Sequence, residues 1–266
     1  MSPHRSIDTN APTDLPTEPS GGVRTFHARR GRMTTPQRVE LGDLLARYGV
    51  PTAIAGPAGH PPGPLDLAEI GGGRPVVLEI GFGMGAATLT MAMADPTCTI
   101  LAVDVHTPGV LRLLRGLSDH DLSNVVVAHE DAIELIRQRV LPGSLAGIRI
   151  FFPDPWPKVR HHKRRMVRPE VVALLADKLM SGGTLHLATD IAGYAHQMLA
   201  VCSAEPLLRN MFSGPSRETK NPTLQDSTSS VHSIGFAPGR IIRPATKFEI
   251  QGEQQGRPSY DILFQR

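Results

Sequence analysis

The chain has 266 residues, of which 40% are hydrophobic and 20% charged, and its formal net charge is only +3. That length suits one sizeable core, and so small a net charge favours no class of partner by itself. No apolar run approaches the roughly 20 residues that cross a bilayer, so a helical membrane protein is not expected. The two cysteines, Cys98 and Cys202, have neither metal-ligand nor redox-pair spacing, which leaves out a disulfide framework and a cysteine metal site. The first residues lack the apolar centre of a signal peptide, and the expectation is a soluble cytoplasmic protein.

In chain order, residues 1–22 read as a disordered tail, because Pro, Ser, Thr and Gly offer no core. Residues 23–266 read as a single domain, opened by an N-terminal arm and helix over 23–73. Within that lead, Val23 to Met33 is basic, and Thr35-Pro36 opens a predicted helix over Gln37 to Tyr48. Val50 to Gly73 is a Pro/Gly-rich connection. From Arg74 onward, short apolar runs alternate with helical segments. The runs Val76–Ile80, Thr99–Val103, Val125–Ala128, Gly147–Phe152 and Thr184–Ala188 read as strands. Ala86–Ala94, Pro108–Leu117, Ala132–Val140, Pro169–Met180 and Ile191–Ser203 read as helices. Continuous apolar strands alternating with helices predict an α/β fold with a parallel sheet covered on both faces. Residues 213–239 read as a polar, flexible insertion, and Tyr260–Phe264 as a closing strand.

Glu79-Ile80-Gly81-Phe82-Gly83-Met84-Gly85 follows the first strand and opens a helix. Glycines there permit a tight turn and close approach of a ligand. The spacing is G-x-G-x-G, not the G-x-G-x-x-G of dinucleotide enzymes. Glu79 ahead of the turn suits a cation such as the sulfonium and ammonium of S-adenosylmethionine better than a pyrophosphate. Asp104 ends the second strand, where ribose hydroxyls are held in such folds. Asp131 ends the third, positioned either to accept from an adenine amino group or to cap the next helix.

The chain's most distinctive stretch is Phe151-Phe152-Pro153-Asp154-Pro155-Trp156-Pro157-Lys158. Each proline fixes φ and pushes its predecessor toward extended geometry, so Asp154 is displayed on a stiff loop. Trp156, the only tryptophan, either stacks on a base or packs under that loop. Arg24 to Arg38 and Lys158 to Arg168 contain basic residues and no acidic ones, a footprint for an anionic polymer or a solvated face. His161 and His162 lack a further ligand at metal spacing, so no metal site is expected.

The Glu79/Gly81/Gly83/Gly85 turn, Val103-Asp104-Val105-His106, Phe152 to Lys158, His161 to Arg165, Thr189-Asp190 and Thr246-Lys247-Phe248-Glu249 together resemble the bacterial tRNA (guanine-N7)-methyltransferase family. The resemblance runs from about Arg24 to the C-terminus. It implies a Rossmann-like class I methyltransferase fold: a mostly parallel, seven-stranded sheet with helices on both faces. It implies S-adenosylmethionine as donor and a guanine in the variable loop of tRNA as acceptor. On matching positions, Glu79, Gly81, Gly83, Gly85, Asp104, Asp131 and Asp154 would hold the cofactor, with Asp154 catalytic. Lys158, Asp190, Thr246, Lys247, Phe248 and Glu249 would bind substrate, Glu249 by pairing with guanine N1 and N2. Arg160, His161, His162, Lys163, Arg164 and Arg165 would bind RNA. Thr246 with Glu249 is also an ordinary capping box, which needs no substrate. Ile191-Ala192-Gly193 after Asp190 departs from the family's aromatic and acidic run.

Rival readings are an NAD-dependent oxidoreductase, a non-catalytic RNA-binding protein on this fold, and a methyltransferase acting on another RNA or on protein. The first needs the other glycine spacing, which is missing. Whether the chain acts as a monomer or a homodimer is left open by the sequence.

Overall fold

The structure, a computed structural model, describes residues 33–50, 63–213 and 234–266. The predicted N-terminal tail, the basic arm before Met33 and most of the predicted insertion lie outside the described residues.

The elements in chain order are α1 (Thr35–Tyr48), α2 (Leu67–Gly71), β1 (Val76–Ile80), α3 (Ala86–Ala94), β2 (Thr99–Val103), α4 (Thr107–Asp119), β3 (Val125–Ala128), α5 (Ala132–Arg139), β4 (Leu145–Phe151), a 3-10 helix (Val159–Arg164), α6 (Pro169–Lys178), β5 (Leu179–Thr189), α7 (Ala192–Ser203), β6 (Arg209–Asn210), α8 (Lys247–Gln254) and β7 (Tyr260–Gln265). They form one seven-stranded sheet in the order β3-β2-β1-β4-β5-β7-β6. The first five strands pair in parallel, and β7 runs antiparallel between β5 and β6. This is the α/β architecture that the alternating pattern predicts.

Period-two alternation within buried strands sorts side chains onto two cores. Leu78 and Ile80 of β1, with Leu101 and Val103 of β2, join Leu135, Ile136, Val171, Leu175, Tyr194 and Met198 of α5, α6 and α7. Ile100 and Ala102 point the other way and join Tyr48, Met91, Val110, Leu113, Leu114 and Leu117 of α1, α3 and α4. Helices therefore cover both faces, because each face of β2 carries an apolar row that must leave water.

β1 pairs on one side with β2 and on the other with β4. The chain winds outward from β1 in one direction and then restarts in the other, so the crevice at the carboxyl ends of β1 and β4 is the topological switch point.

Several boundaries differ from the sequence reading for local reasons. α1 starts two residues early because Thr34 and Gln37 form a reciprocal capping box. α2 lies in what reads as connection; Asp66 caps it by accepting from Ala68 N and Glu69 N, both at 3.0 Å, and Gly72 ends it at φ 56°. β5 begins at Leu179 rather than Thr184, because its register with β4 jumps from Leu145↔Leu179 to Gly147↔Thr184. Gly182 sits in that irregular stretch at φ 80°.

One close approach fixes the crevice. A Cβ on Gly109, in the first turn of α4, would fall 1.8 Å from the carbonyl oxygen of Gly83. Gly109→Ala must push α4 off the glycine turn. We expect urea denaturation to show a loss of about 1–3 kcal/mol.

Candidate functional site

Three glycines bend the chain after β1: Gly81, Gly83 and Gly85 have φ of 76°, 60° and 76°. A Cβ on Gly85 would meet Leu113 Cβ at 2.7 Å, whereas Gly81 and Gly83 face open space. Gly85 therefore serves packing, and the other two leave room at the crevice. Asp104 holds the turn from β2: its Oδ2 accepts from Gly83 N and its Oδ1 from His106 N, each at 2.8 Å.

Glu79 is the buried charge of the crevice. It is 3% exposed, and its Oε2 makes no hydrogen bond of standard geometry, nor does the Thr88 hydroxyl. Burial pushes its pKa up to about 7; Thr88 and Arg149 pull partly back, and Asp104 adds to the rise. An orphaned buried carboxylate oxygen is costly without a partner. Beside an open glycine turn it fits a cationic ligand with hydrogen-bond donors, which is what the ammonium group of S-adenosylmethionine supplies.

Asp131 takes the capping role that the sequence left as one of two possibilities. Its Oδ1 accepts from Ile133 N at 2.8 Å and Glu134 N at 3.2 Å. Its Oδ2 has no hydrogen-bond partner among the described residues. The adjacent His129 is held below the usual imidazole range by burial, against the pull of Val105 and Asp104.

The Asp154 loop leaves the end of β4, the neighbour of β1. Phe152 N donates to Ala188 O at 2.8 Å, pinning the loop's start to β5. Phe152 and Trp156 sit at φ 51° and 43°, left-handed backbone that bulky residues adopt only at a cost of about 1–3 kcal/mol each. Asp154 between them is exposed, and its carboxylate has no hydrogen bond or ion pair among the described residues. Trp156 packs under the loop. It is 6% exposed, with the Arg164 guanidinium 4.7 Å from its ring and His161 edge-on.

The 3-10 helix that follows lifts the cationic side chains in different directions. Lys158, Arg160 and Lys163 are exposed, and His161 and His162 are half-buried. Arg165, also in the predicted RNA-binding set, is placed differently from Lys163. It is 6% exposed and turned inward, donating from Nε to Pro155 O at 2.8 Å.

The far wall contains a buried ionic cluster that sequence reasoning missed. Arg243 donates to both oxygens of Glu249 (Nη1–Oε2 2.7 Å, Nη2–Oε1 3.1 Å) and to both of Asp261 (Nε–Oδ1 2.8 Å, Nη2–Oδ2 2.5 Å). Asp261 also bonds His186 at 2.8 Å, and Glu249 accepts from Arg240 and Ser259. The same guanidinium lies 5.6 Å and 5.3 Å from the rings of Phe151 and Phe152. Burial raises the pKa values of Glu249 and Asp261, but their bonds to Arg243, His186 and Ser259 outweigh it and hold both below the usual carboxylate range.

This cluster occupies the carboxylate of Glu249, which the resemblance places on the substrate. Its carboxylate is 1% exposed with both oxygens engaged, so no face is open to guanine N1 and N2. The capping box with Thr246 is present: Glu249 N donates to Thr246 Oγ1 at 3.2 Å and Thr246 N to Glu249 Oε2 at 3.3 Å. Lys247 and Phe248 form the first turn of α8. Asp190, at the end of β5, accepts from Arg257 Nε at 2.9 Å, which ties it to the chain just beyond α8. Arg243, Glu249, Asp261 and His186 are scattered along the sequence; Arg243 beside Pro244 gave no signal of its own, and only the capping spacing was visible.

Among the described residues, no group of three or more His, Cys, Asp or Glu side chains is placed to hold a metal ion, and no helix is long and apolar enough to cross a membrane.

Comparison with known proteins follows the same residues. A family model described as a putative methyltransferase matches residues 73–262. A Streptomyces coelicolor protein named tRNA (guanine-N(7)-)-methyltransferase is 45% identical over 245 residues, 92% of this chain and 81% of that protein. The chain belongs to the tRNA (guanine-N(7)-)-methyltransferase family. Other family members are 42% identical in Bordetella pertussis, over 92% of this chain and 85% of that protein, and 40% identical in Acidovorax sp., over 97% and 90%. The resemblance carried by the Pro-Asp-Pro-Trp stretch and the glycine turn thus extends over nearly the whole chain.

Removing the cation from the cluster leaves two buried carboxylates facing each other. Arg243→Met is expected to lose about 3–5 kcal/mol in urea denaturation. In the parent protein the lowered pKa values mean stability present above the ordinary carboxylate values, 3.8 for Asp261 and 4.5 for Glu249, and lost as pH falls through the lower folded values. That acid-side loss should shrink in Arg243→Met, which pH-dependent unfolding will read.

Proposed function

We propose that this chain transfers the methyl group of S-adenosylmethionine to N7 of a guanine in the variable loop of tRNA, in the cytoplasm. One observation carries the reading. At the switch point of a single sheet, an orphaned buried Glu79 oxygen beside an open glycine turn adjoins a strand that delivers Asp154, exposed and uncommitted, on a strained and proline-stiffened loop. The named relatives supply the nucleic acid and the atom.

The cofactor supplies an electrophilic methyl on sulfonium. Glu79 would hold the ammonium end, the Gly81–Gly83 turn would give the close approach, Asp104 would take ribose hydroxyls with lone pairs left over from its turn bonds, and Asp131 would offer Oδ2 to the adenine amino group. Guanine N7 would take that methyl on its in-plane lone pair, the N–C bond forming as the C–S bond breaks and sulfur keeping the electron pair. No proton moves, so no general base is required. Positive charge appears on the purine as it leaves sulfur. Catalysis is then positioning of two reactants plus a fixed carboxylate where charge develops. Asp154 supplies that carboxylate. Lys158, Arg160 and Lys163, exposed just beyond, meet backbone phosphates, and Asp190 with the opening turn of α8, Thr246 to Glu249, walls the substrate side.

Asp154→Asn should lose about 100-fold or more in single-turnover methyl transfer at saturating donor, with S-adenosylhomocysteine affinity measured separately. Formation of 7-methylguanosine in unmodified bulk tRNA, followed by nucleoside analysis, is the direct check; a folded enzyme that leaves tRNA unmethylated overturns the reading.

Glu79 gives a pH test. With its pKa near 7 in the free protein, the neutral acid predominates below that value and cannot counter an ammonium group. S-adenosylhomocysteine affinity should rise by up to about tenfold per pH unit below 7 and level off above it. Calorimetry should register proton release, and Glu79→Gln should flatten the profile. The sign for stability is opposite: the raised pKa favours the free fold below pH 4.5, and that contribution is lost as pH rises through about 7.

A further inference from the structure

We propose that Arg165 is a positioning residue that holds the Asp154 loop in its strained shape, rather than one of the cations that meet RNA; the proposal rests on Asp154 being the catalytic carboxylate.

Arg165 lies in the run Lys158 to Arg168, where its neighbours Lys163 and Arg160 are exposed, yet its own side chain is withdrawn from solvent. Among the described residues it has no carboxylate within ion-pair distance. A guanidinium buried without a counter-ion costs folding free energy, and burial pulls its pKa down, against the pull of Tyr194. What it gains in return is geometric. Nε donates to Pro155 O at 2.8 Å, and Nη1 donates to Gln197 Oε1. Its guanidinium carbon lies 4.7 Å from the centre of the Tyr194 ring. Both supports are themselves fixed. Tyr194 is fully buried and its hydroxyl accepts from Val167 N at 3.2 Å, while Gln197 Nε2 donates to Val167 O at 3.2 Å.

Pro155 immediately follows Asp154, and Trp156 after it is one of the loop's two left-handed residues. The Pro155 carbonyl is thus the nearest handle by which the fold can grip the C-terminal side of the carboxylate. Phe152 on the N-terminal side is gripped by Ala188 and faced by Arg243. Strained backbone persists only where the surroundings over-determine it. A planar fork with donors at fixed angles meets that need more fully than a lysine ammonium, which can reach only one of the two acceptors.

The test uses the full chain and three readouts on Arg165→Met and Arg165→Lys: tRNA affinity against salt, single-turnover methyl transfer at saturating tRNA and donor, and fluorescence of Trp156, the protein's only tryptophan. The clamp predicts transfer slowed at least about tenfold in Arg165→Met, tRNA affinity within about twofold and an unchanged salt slope. It also predicts red-shifted Trp156 emission with greater acrylamide quenching, and partial recovery in Arg165→Lys. Lys163→Ala, run alongside, should instead lose tRNA affinity and about one unit of salt slope. Full transfer rate in Arg165→Met with native Trp156 emission, or loss of salt slope there, overturns the proposal. Should Arg165→Met fail to fold by circular dichroism, Gln197→Leu removes one support and is read the same way, native rate and emission again overturning it. Asp154→Asn at wild-type rate would sink the catalytic reading on its own, while the Trp156 signal still decides whether Arg165 shapes the loop.

Discussion

The guanidinium of Arg243 between Glu249 and Asp261 is the interaction that the site is built on. It is a wholly buried cation held by two buried carboxylates, and it joins α8, β7 and, through His186, β5. Each charge is expensive to bury alone and is tolerated because the others complete its hydrogen bonds. On its open face stand the rings of Phe151 and Phe152, the residues from which the Asp154 loop departs. A rigid ionic block therefore backs a strained turn, and the turn presents an unbonded carboxylate. The strain at Phe152 and Trp156 sits on either side of that carboxylate.

Electrostatic roles are divided across the crevice. Carboxylates gather at the strand ends: Glu79 buried with one oxygen outside any standard hydrogen bond, Asp104 structuring the glycine turn, Asp131 capping α5. Cations gather on the 3-10 helix beyond the loop. A net charge of +3 conceals this separation. Local order of charge, not its sum, sets the field that a charged ligand meets.

Much was legible early because the signals were local. Val76–Ile80, Thr99–Val103 and Val125–Ala128 were readable to the residue, since a strand buried on both faces is a continuous apolar run. The glycine turn and the Pro-Asp-Pro-Trp stretch announce their backbone demands in their own composition. α2 was missed because five residues give no helical period, and β5's early start because a bulge hides pairing from any pattern. The resemblance gives Glu249 and Arg165 ligand-facing roles, but matching positions do not tell which charges lie inside; packing does.

The sequence by itself determined the α/β order of the chain, the place of the cofactor turn and the proline-flanked Asp154, because these follow from hydrophobic period and from what glycine and proline do to φ. Tertiary structure decided which carboxylates stay uncommitted, which arginines grip the loop rather than face outward, and that Arg243, Glu249, Asp261 and His186 meet at all. Those outcomes depend on desolvation and on partners tens of residues away, which no local stretch of sequence can encode.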